Sequence, residues 1–400
     1  MPNYQQFIDY LFAKSTNVGI PLSGTFELTS RCNLDCRMCY IHKRANDESA
    51  IRDELSAADW IRLAENAQKA GMLLLLLTGG EPLLRPDFPE IYTACRRLGL
   101  LVSVNTNGTR IDEETIALWK KFPPLRVNLT LYGATPAAYR ALCGHADAYT
   151  HAYRAVELLC EAGIRCKLNY SATPENLADL PQIFAFAKER ELPLQVASYM
   201  FPPLRADEAA GNRCKGCENA CGDPMRSGDG DGVGRESARM TPETAGNVRF
   251  AYDRFRFDED TLAKRIRGML AGETLPDPDD ECQELPTERI RCRAGSTTFW
   301  ITYNGEMRPC GMMTTPGFTI RDGFASAWQR IRAARTEILL PAKCSACPKK
   351  EICEFCPAAC YAENGDFTVT PTYLCRKLDA YLNVGRQWLA TYAQNGETAP

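Results

Sequence analysis

Residues 29–40 read TSRCNLDCRMCY, and they follow a strand-like stretch, Gly24–Ser30. The spacing Cys32-x3-Cys36-x2-Cys39 places three thiolates within one short loop. A [4Fe–4S] cluster takes four ligands, so three local cysteines leave one iron open to the amino and carboxylate groups of a bound ligand. A closed zinc site would need a fourth local ligand, for which His42 is the candidate. The position at the C-terminal end of a strand favours the cluster, because barrel enzymes place their sites there.

Composition excludes several classes of protein. The chain has 400 residues, 45% of them apolar, and a net charge of −3, so it can bury a sizeable core and has no global attraction to nucleic acid or an anionic membrane. The longest aliphatic run, Leu73–Leu77, is too short to span a bilayer. Residues 1–16 lack the basic and apolar regions of a signal peptide. We therefore expect a cytoplasmic protein.

Cysteine is the compositional outlier, with nineteen residues in the chain. The cytosol keeps thiols reduced, and closely spaced clusters are typical of metal ligation rather than of disulfides. Cys95, Cys160 and Cys166 instead occur singly in apolar segments, which predicts buried structural thiols.

The first 200 residues alternate strand-like and helix-like segments. Helix starts are indicated by a capping box at Ser56, by Asp112 and by Thr135 with Pro136. Six β/α units predict a parallel sheet in a partial (β/α)6 TIM-like barrel, followed by a small Cys-rich domain. The predicted strands are Gly24–Ser30, Met72–Thr78, Leu101–Thr106, Arg126–Tyr132, Ile164–Ser171 and Leu194–Met200; later helices are predicted from Thr241 and over Leu378–Tyr392.

The second predicted strand ends in Thr78 followed by Gly79-Gly80-Glu81-Pro82. A plain turn would explain these four residues. Glycine also lets a backbone approach a ligand closely, and a carbonyl or the Glu81 carboxylate can accept a hydrogen bond from an ammonium group. The segment is therefore a candidate ligand-binding loop.

Together, the cysteine triplet, the following Tyr40 and the Gly-Gly-Glu-Pro loop resemble the radical S-adenosylmethionine (SAM) superfamily. The resemblance implies that the open iron binds the amino and carboxylate groups of SAM, that Tyr40 covers the cluster and that residues 79–82 contact the cofactor's amino group. It also implies reductive cleavage of SAM to a 5′-deoxyadenosyl radical, which abstracts hydrogen from a substrate.

Further cofactor contacts implied by the resemblance are Asn105, Thr130 and Asn169, which fall near predicted strand ends. Each could equally cap a helix or satisfy backbone groups. Related enzymes often place an arginine after the fourth strand to bind the cofactor's carboxylate. Here the corresponding position is near Cys143, with Arg140 three residues earlier, so this chain departs from that pattern.

The C-terminal cysteines resemble the SPASM extension, which carries auxiliary iron–sulfur clusters in peptide-modifying enzymes. Eight cysteines would serve two clusters, and a hairpin at Phe299–Tyr303 and Asn304–Gly305 would lie between the first two ligands. The alternative is a zinc ribbon, because Cys-x2-Cys occurs twice. One predicted cluster takes Cys344, Cys347, Cys353 and Cys375; the other takes Cys292, Cys310 and either Cys356 or Cys360, and Cys282 could join.

Domain boundaries follow from these patterns. Cys214, Cys217 and Cys221 lie in a Gly-rich segment, where a third auxiliary metal site is an alternative to free thiols. Cys282–Cys375 shows little periodicity. The predicted units are an N-terminal helix at 1–23, the barrel at 24–205, a linker with a helix at 206–280, the auxiliary domain at 281–377 and a helix with a tail at 378–400.

The resemblance implies that the substrate is a peptide or protein side chain and that the electron donor is a flavodoxin or ferredoxin. Alternatives are a radical SAM enzyme acting on a small molecule by dehydrogenation or decarboxylation, and a non-catalytic electron carrier. The cofactor loop at residues 79–82 argues against the carrier. Met312 and Met313 either line a substrate pocket or pack the small domain. No acid, base or radical donor can be named from the sequence.

Overall fold

The computed structural model describes residues 4–41, 43–202, 238–272, 290 and 292–396. His42, Cys282 and the triplet Cys214, Cys217 and Cys221 lie outside the described residues, so the hypotheses about them stay predictions. No helix within the described ranges is both long and apolar enough to cross a membrane.

Eleven strands and fourteen α-helices lie in the described ranges. The strands are β1 Ser23–Glu27, β2 Arg31–Cys32, β3 Lys43–Arg44, β4 Leu74–Thr78, β5 Leu101–Thr106, β6 Arg126–Leu131, β7 Cys166–Ser171, β8 Leu194–Ala197, β9 Thr298–Ile301, β10 Glu306–Arg308 and β11 Phe318–Thr319. The helices are α1 Tyr4–Val18, α2 Glu48–Asp53, α3 Ala57–Lys69, α4 Phe88–Arg97, α5 Glu113–Lys121, α6 Pro136–Cys143, α7 Ala148–Glu161, α8 Leu180–Glu189, α9 Pro242–Arg256, α10 Glu259–Ala271, α11 Phe324–Glu337, α12 Ala342–Ser345, α13 Pro357–Asn364 and α14 Thr372–Gly396.

Six parallel strands in the order β1-β4-β5-β6-β7-β8 form the barrel wall. The predicted partial (β/α)6 barrel is thus confirmed, and β5 has the predicted bounds. One face of each strand packs against the helices: Leu77, Val104 and Leu129 are fully buried there, in one core with Trp60 of α3 and Trp119 of α5. The opposite face of the wall is the inner, concave face of the barrel.

The predicted helix starts are confirmed. Ser56 and Asp59 form a reciprocal capping box at the start of α3. Asp112 accepts a hydrogen bond from the backbone of Thr115 in α5, and Thr135 accepts one from the backbone of Ala138 in α6. These local bonds satisfy the free N–H groups of the first turns and fix the direction in which each helix leaves its strand.

A hairpin from the cysteine-rich region extends the barrel sheet. Strand β9 pairs in parallel with β1, with Phe26 opposite Ile301, and β10 pairs antiparallel with β9 around a turn at Gly305. The full sheet therefore has nine strands, in the order β11-β10-β9-β1-β4-β5-β6-β7-β8. The Trp300 Nε1 group donates a 2.9 Å hydrogen bond to Oε2 of the fully buried Glu27, which fastens the hairpin to the barrel.

The remaining C-terminal helices form a second, smaller core. Phe250 of α9, Ile266 of α10 and Tyr381 of α14 pack together there. The predicted C-terminal helix is present but begins at Thr372, so Cys375 lies on it. The prediction of little periodicity between Cys282 and Cys375 is wrong for α11, because its buried residues Phe324, Ala327, Trp328 and Ile331 have helical spacing.

Candidate active site

The predicted cluster loop follows β1 and lies at the C-terminal end of the barrel. Cys32 and Cys39 are partly buried and Cys36 is buried. The backbone N–H of Cys39 donates to the Cys36 carbonyl at 3.0 Å, and that of Leu34 donates to the Cys32 sulfur at 3.4 Å. These short-range bonds fold the chain tightly between Cys32 and Cys39.

Two arginines and one glutamate brace this loop from below. Arg31 Nε lies 2.7 Å from Glu54 Oε1, and Arg85 Nη1 lies 3.4 Å from Glu54 Oε2. Arg85 Nη1 also donates to the Leu28 carbonyl at 2.8 Å, and the Thr29 hydroxyl donates to Glu54. Sequence reasoning missed these residues, since charged pairs far apart in sequence leave no local signal. They fix the backbone immediately before Cys32.

The environment of the thiols fits a cationic metal cluster. Burial, and then the nearby Glu81 carboxylate, raise the pKa of the Cys32 thiol well above its ordinary range. A hydrogen bond with the Cys143 thiol, and then burial, raise the pKa of Cys36. Cysteine binds metal as thiolate, so the positive charge of bound iron would offset the cost of buried thiolates here. The donor set therefore fits the iron–sulfur cluster predicted for the loop.

The Gly79-Gly80 turn packs directly on the cluster loop. Gly80 N donates to the Thr29 carbonyl and Glu81 N donates to the Arg31 carbonyl, both at 2.8 Å. A Cβ atom would lie 2.4 Å from Thr29 O at Gly79 and 2.3 Å from Arg31 O at Gly80. The glycines are thus required for the contact between two backbones, a reason that the sequence alone did not indicate. Pro82 is buried and opens a single 3₁₀ turn.

Glu81 is fully buried, and its carboxylate accepts hydrogen bonds from protein groups. Oε1 accepts from Leu83 N at 3.0 Å and from the Thr106 hydroxyl at 2.9 Å, and Oε2 accepts from Asn107 N at 2.8 Å. Burial raises the pKa of this carboxyl to about 7, and the hydrogen bonds from Asn107, Leu83 and Thr106 act in the opposite direction. Glu81 therefore joins the end of β4 to the end of β5.

Asn107, directly after β5, is a site residue that sequence reasoning missed. Its Nδ2 lies 3.6 Å from the Cys32 sulfur and donates to Asn33 Oδ1 at 3.1 Å. Its Oδ1 accepts from the backbone and the hydroxyl of Thr109. This amide thus joins the end of β5 to the cluster loop that follows β1, although β4 lies between these two strands in the sheet.

The other predicted cofactor residues lie on the concave face or beside it. Asn105 accepts a hydrogen bond from Asn128, and Thr130 stands opposite Asn169 in the β6–β7 register. All three predicted residues are partly exposed at or near the upper ends of their strands, and Tyr40 is half-buried next to Cys39. Their contact with cofactor stays a prediction.

Helix α6 holds the cluster loop from the side. Asp35 N donates to the Cys143 carbonyl at 3.1 Å and Arg37 N to the Leu142 carbonyl at 3.0 Å. Cys143 is buried, whereas Arg140 is exposed. The position near which related enzymes place an arginine is therefore occupied by a thiol that contacts Cys36.

The C-terminal cysteines separate into two groups. Burial, and then the thiols of Cys356 and Cys292, raise the pKa of Cys310 to about 12. These three cysteines border a small apolar cluster that includes Ile290 and the buried Met313. Met313 is therefore a packing residue of the small domain. This was one of the two alternatives predicted for Met312 and Met313, the other being a role in lining a substrate pocket.

The second group contains Cys344, Cys347, Cys353 and Cys375. Burial raises the pKa of Cys353 to about 12, and the Cys375, Cys344 and Cys347 thiols add to the shift. Cys360 lies between the two groups; it is fully buried, and its thiol donates to the Cys356 carbonyl at 3.6 Å. Within the described ranges, no group of three or more His, Cys, Asp or Glu side chains is arranged to hold a metal ion.

A bridge of polar side chains connects the barrel to this region. The Tyr199 hydroxyl, just beyond β8, donates to Glu363 Oε1 of α13 at 2.6 Å. Arg239 Nη2 donates to the same oxygen at 2.6 Å, and its guanidinium lies over the rings of Tyr199 and Tyr373. The end of β8 and the segment after Cys356 are thus held in contact.

Comparison with known proteins identifies a domain within the chain. The Radical SAM superfamily model matches residues 26–187. The AdoMet-dependent heme synthase of Methanosarcina barkeri is 24% identical over 87% of this chain and 94% of its own length. The PqqA peptide cyclase of Gluconobacter oxydans is 32% identical over 42% of this chain, and the match spans less than half of the cyclase, 46%.

Two solved structures share the fold across almost the whole chain. Streptococcus suis SuiB bound to S-adenosylmethionine superposes with a TM-score of 0.62 and 17% identity, covering 94% of this chain and 84% of SuiB. Native anSMEcpe with bound AdoMet gives a TM-score of 0.62 and 16% identity, covering 94% of this chain and 100% of anSMEcpe. Residues 26–187 therefore carry a radical SAM domain, and the likeness to SuiB and anSMEcpe shows that almost the whole chain shares their fold.

Proposed function

We propose that this radical SAM enzyme modifies a side chain of a peptide or protein. The observation that carries the proposal is the fold of the whole chain, including the hairpin that joins the cysteine-rich region to the barrel wall. The same fold occurs in SuiB bound to its precursor peptide SuiA, with a TM-score of 0.61 over 94% of this chain. It also occurs in anSMEcpe with bound AdoMet and the Cp18Cys peptide, with a TM-score of 0.60.

In this proposal, Cys32, Cys36 and Cys39 hold the catalytic [4Fe–4S] cluster. The cofactor-binding residues are Tyr40, Gly79, Gly80, Glu81, Pro82, Asn105, Thr130 and Asn169. Bound together, cluster and SAM supply a 5′-deoxyadenosyl radical for hydrogen abstraction. The chain itself orients the cluster loop through Glu54 and Asn107. Glu81 keeps the Gly79-Gly80 turn beside the thiols. The backbone carbonyls of that turn are therefore the groups that remain to accept a hydrogen bond from the SAM ammonium.

Two auxiliary [4Fe–4S] clusters belong to the same proposal. Cys344, Cys347, Cys353 and Cys375 would hold one, because their thiols act on one another electrostatically. Cys292, Cys310 and Cys356 would hold the other. Cys360 is the weaker candidate in place of Cys356, because its buried thiol hydrogen-bonds the Cys356 carbonyl.

The cluster assignments are tested by metal analysis after anaerobic reconstitution. Replacing Cys32, Cys36 and Cys39 together by Ala should abolish 5′-deoxyadenosine formation while leaving roughly eight irons, two cubes, in the protein. Cleavage of SAM by that variant would contradict the catalytic assignment. Stoichiometric zinc in place of iron would instead show a zinc ribbon.

The substrate proposal is tested by coupling SAM cleavage to modification. We expect peptides encoded beside the gene of this enzyme to raise 5′-deoxyadenosine formation and to change in mass under a chemical reductant. A peptide deuterated at the modified carbon should transfer deuterium to 5′-deoxyadenosine. Neighbouring peptides that neither stimulate cleavage nor change in mass would count against a peptide substrate.

A small-molecule substrate is the second candidate. It is favoured by one observation: the heme synthase of Methanosarcina barkeri aligns over 94% of its own length, whereas the peptide cyclase aligns over 46%. An iron tetrapyrrole that stimulates 5′-deoxyadenosine formation and loses carbon dioxide, in an enzyme that ignores peptides, would select this candidate.

The electron donor and the compartment complete the proposal. We expect a reduced flavodoxin or ferredoxin to replace the chemical reductant in the SAM cleavage assay. A chain with nineteen cysteines and sites for oxygen-sensitive clusters suits the reducing cytoplasm. Activity that survives prolonged aerobic purification would contradict this part of the proposal.

A further inference from the structure

One arginine of α11 holds the backbone around Cys292. Arg335 Nε donates a hydrogen bond to the Ala294 carbonyl at 2.9 Å. Its Nη2 donates to the Ile290 carbonyl at 2.7 Å and to the Cys292 carbonyl at 3.1 Å. A planar guanidinium presents its donors in a fixed arrangement, so three carbonyls of one short segment are held in one geometry. Arg335 therefore sets the path of the chain on both sides of Cys292.

The turn that follows Cys292 packs against the same side chain. Gly295 has a φ of +68°, and a Cβ atom there would lie 3.3 Å from Cβ and from Cδ of Arg335. The backbone N–H of Thr298, the first residue of β9, donates to the Arg293 carbonyl at 3.2 Å. Cys292 therefore lies between Arg335 and the hairpin that extends the barrel sheet.

Helix α11 gives Arg335 a rigid base. Its residues Phe324, Trp328 and Ile331 are buried in the same core as the barrel strands. The Trp328 Nε1 group also donates to the Gly19 carbonyl at 2.9 Å. Because a closely packed core deforms little, the guanidinium has a fixed position relative to the barrel. The cysteine that it holds is thereby positioned relative to the barrel as well.

Arg335 also places a positive charge beside Cys292. In the part of the chain that the structure describes, none of the ion pairs includes this arginine. Its hydrogen bonds go to neutral carbonyl groups, and its side chain is half-buried. The Cys292 thiol lies within electrostatic range of the guanidinium. A cation that is partly withdrawn from water without a counter-ion favours negative charge placed next to it.

We propose that Arg335 is a positioning residue for Cys292 and that its charge stabilises the reduced state of the auxiliary cluster held by Cys292, Cys310 and Cys356. The inference rests on the proposed function. One-electron reduction of a [4Fe–4S] cluster by an external reductant adds one negative charge to the cluster. A nearby cation makes that charge less costly, and net charge is one of the factors that set the potential of iron–sulfur clusters. Arg335 thus raises the reduction potential of this cluster and leaves that of the other auxiliary cluster unchanged.

The charge role is tested by redox titration with dithionite, followed by electron paramagnetic resonance. Replacing Cys32, Cys36 and Cys39 by Ala removes the first cluster, so that only the auxiliary clusters contribute to the signal. In this background Arg335→Gln keeps an amide donor and removes the charge. We expect it to shift the reduction equilibrium of one auxiliary cluster about ten-fold towards the oxidised form, which lowers the potential by about 59 mV. Arg335→Lys, which keeps the charge, should keep the wild-type potential.

The positioning role is tested by hydrogen exchange of the same reconstituted proteins. A peptide that covers Gly295–Thr298 reports on the turn after Cys292. A lysine ammonium on a flexible chain cannot reproduce the fixed fork of donors. Arg335→Lys should therefore speed exchange in this peptide several-fold although the potential is unchanged. A peptide that covers Leu74–Thr78 of β4 should exchange at the wild-type rate.

The matched control is Arg330→Gln, which removes one positive charge from an exposed position on the same helix. Arg330 Nη1 pairs with Asp322 Oδ2 at 3.5 Å, and its guanidinium lies over the Phe318 ring. This variant should change neither the potentials nor the exchange of the turn. A second control is the Cys356→Ala background, in which the affected cluster is lost. There Arg335→Gln should shift no potential.

The outcomes distinguish the inference from the proposed function. Two iron clusters with the same potentials in wild type and Arg335→Gln would overturn the charge role and leave the proposed auxiliary clusters standing. Stoichiometric zinc in place of one cluster in the wild-type enzyme would overturn both. Unchanged hydrogen exchange in Arg335→Lys would overturn the positioning role. If Arg335→Gln loses the cluster, Arg335→Lys decides: a wild-type potential with faster exchange supports the inference, and a potential that falls as exchange speeds up contradicts it.

Discussion

Replacing Glu81 by Gln tests whether this residue braces the site or binds the cofactor. In the structure Oε1 accepts from Leu83 N and from the Thr106 hydroxyl, and Oε2 accepts from Asn107 N at 2.8 Å. A glutamine keeps one oxygen acceptor but presents an NH₂ group where the other stood. The Asn107 N–H would then face another donor inside a fully buried site.

The expected loss of stability follows from these two donors facing each other. An abandoned hydrogen bond costs about 1 kcal/mol and a buried unsatisfied donor costs about 1–3 kcal/mol, which gives about 3 kcal/mol. For a folding unit the size of the barrel, each kcal/mol lowers Tm by about 2–4 °C, so the expected fall is roughly 6–12 °C. Differential scanning calorimetry of the anaerobic protein measures it. Thr106→Val, which removes one donor to Glu81 and leaves the carboxylate, should lower Tm by about half as much.

The affinity for SAM separates the two roles of Glu81. If the carboxylate only braces the loops, the binding constant for SAM should worsen in step with the loss of stability in both Glu81→Gln and Thr106→Val. If Glu81 accepts from the SAM ammonium, Glu81→Gln should weaken SAM binding sharply with little change in Tm. That second result would refute the bracing role argued from the hydrogen bonds.

Three further outcomes are expected. Gly80→Ala should lower the iron content of the first site several-fold, because its Cβ would lie 2.3 Å from the Arg31 carbonyl, whereas Gly99→Ala, with no atom within 4 Å, should cost only the roughly 1 kcal/mol of its left-handed backbone and keep the iron. Burial raises the folded-state pKa of Glu81 from 4.5 to about 7, so its favourable contribution is full below about pH 4.5 and declines towards pH 7; the Tm gap between wild type and Glu81→Gln, measured without iron at pH 5.5 and 8, should therefore narrow as pH rises. Cys356→Ala should lose roughly four irons and Cys360→Ala should retain them, and the reverse result would exchange their assignments.

Local sequence signals were sufficient for the barrel and its helix starts. The Ser56 capping box, the Asp112 cap and the Thr135-Pro136 start each depend on groups within three residues, and all three are present. The spacing of the cysteine triplet likewise predicted three thiols within one short loop, and in the structure the Cys39 N–H donates to the Cys36 carbonyl there. Such features can be predicted from the sequence because they depend only on residues close together along the chain.

The bracing of the site had no such local signal. Arg31 and Arg85 converge on Glu54, and Asn107 reaches the Cys32 sulfur, only because neighbouring strand ends meet at one edge of the barrel. The sequence indicated a ligand-facing role for Glu81, whereas the structure gives it three protein donors. Which partner a buried polar group takes depends on the other elements that enclose it.

Strand alternation, helix caps and cysteine spacing, all readable from the sequence, determined that this chain forms a β/α barrel with a three-cysteine loop at its mouth. The tertiary structure alone decided that β9 pairs with β1, with Trp300 bonded to Glu27 across 273 residues. It alone also associated Cys356, rather than Cys360, with the Cys310 thiol, a choice that the sequence had left open. Spacing constrains residues within a turn of one another, whereas pairing between distant segments depends on which surfaces are buried together when the whole chain folds.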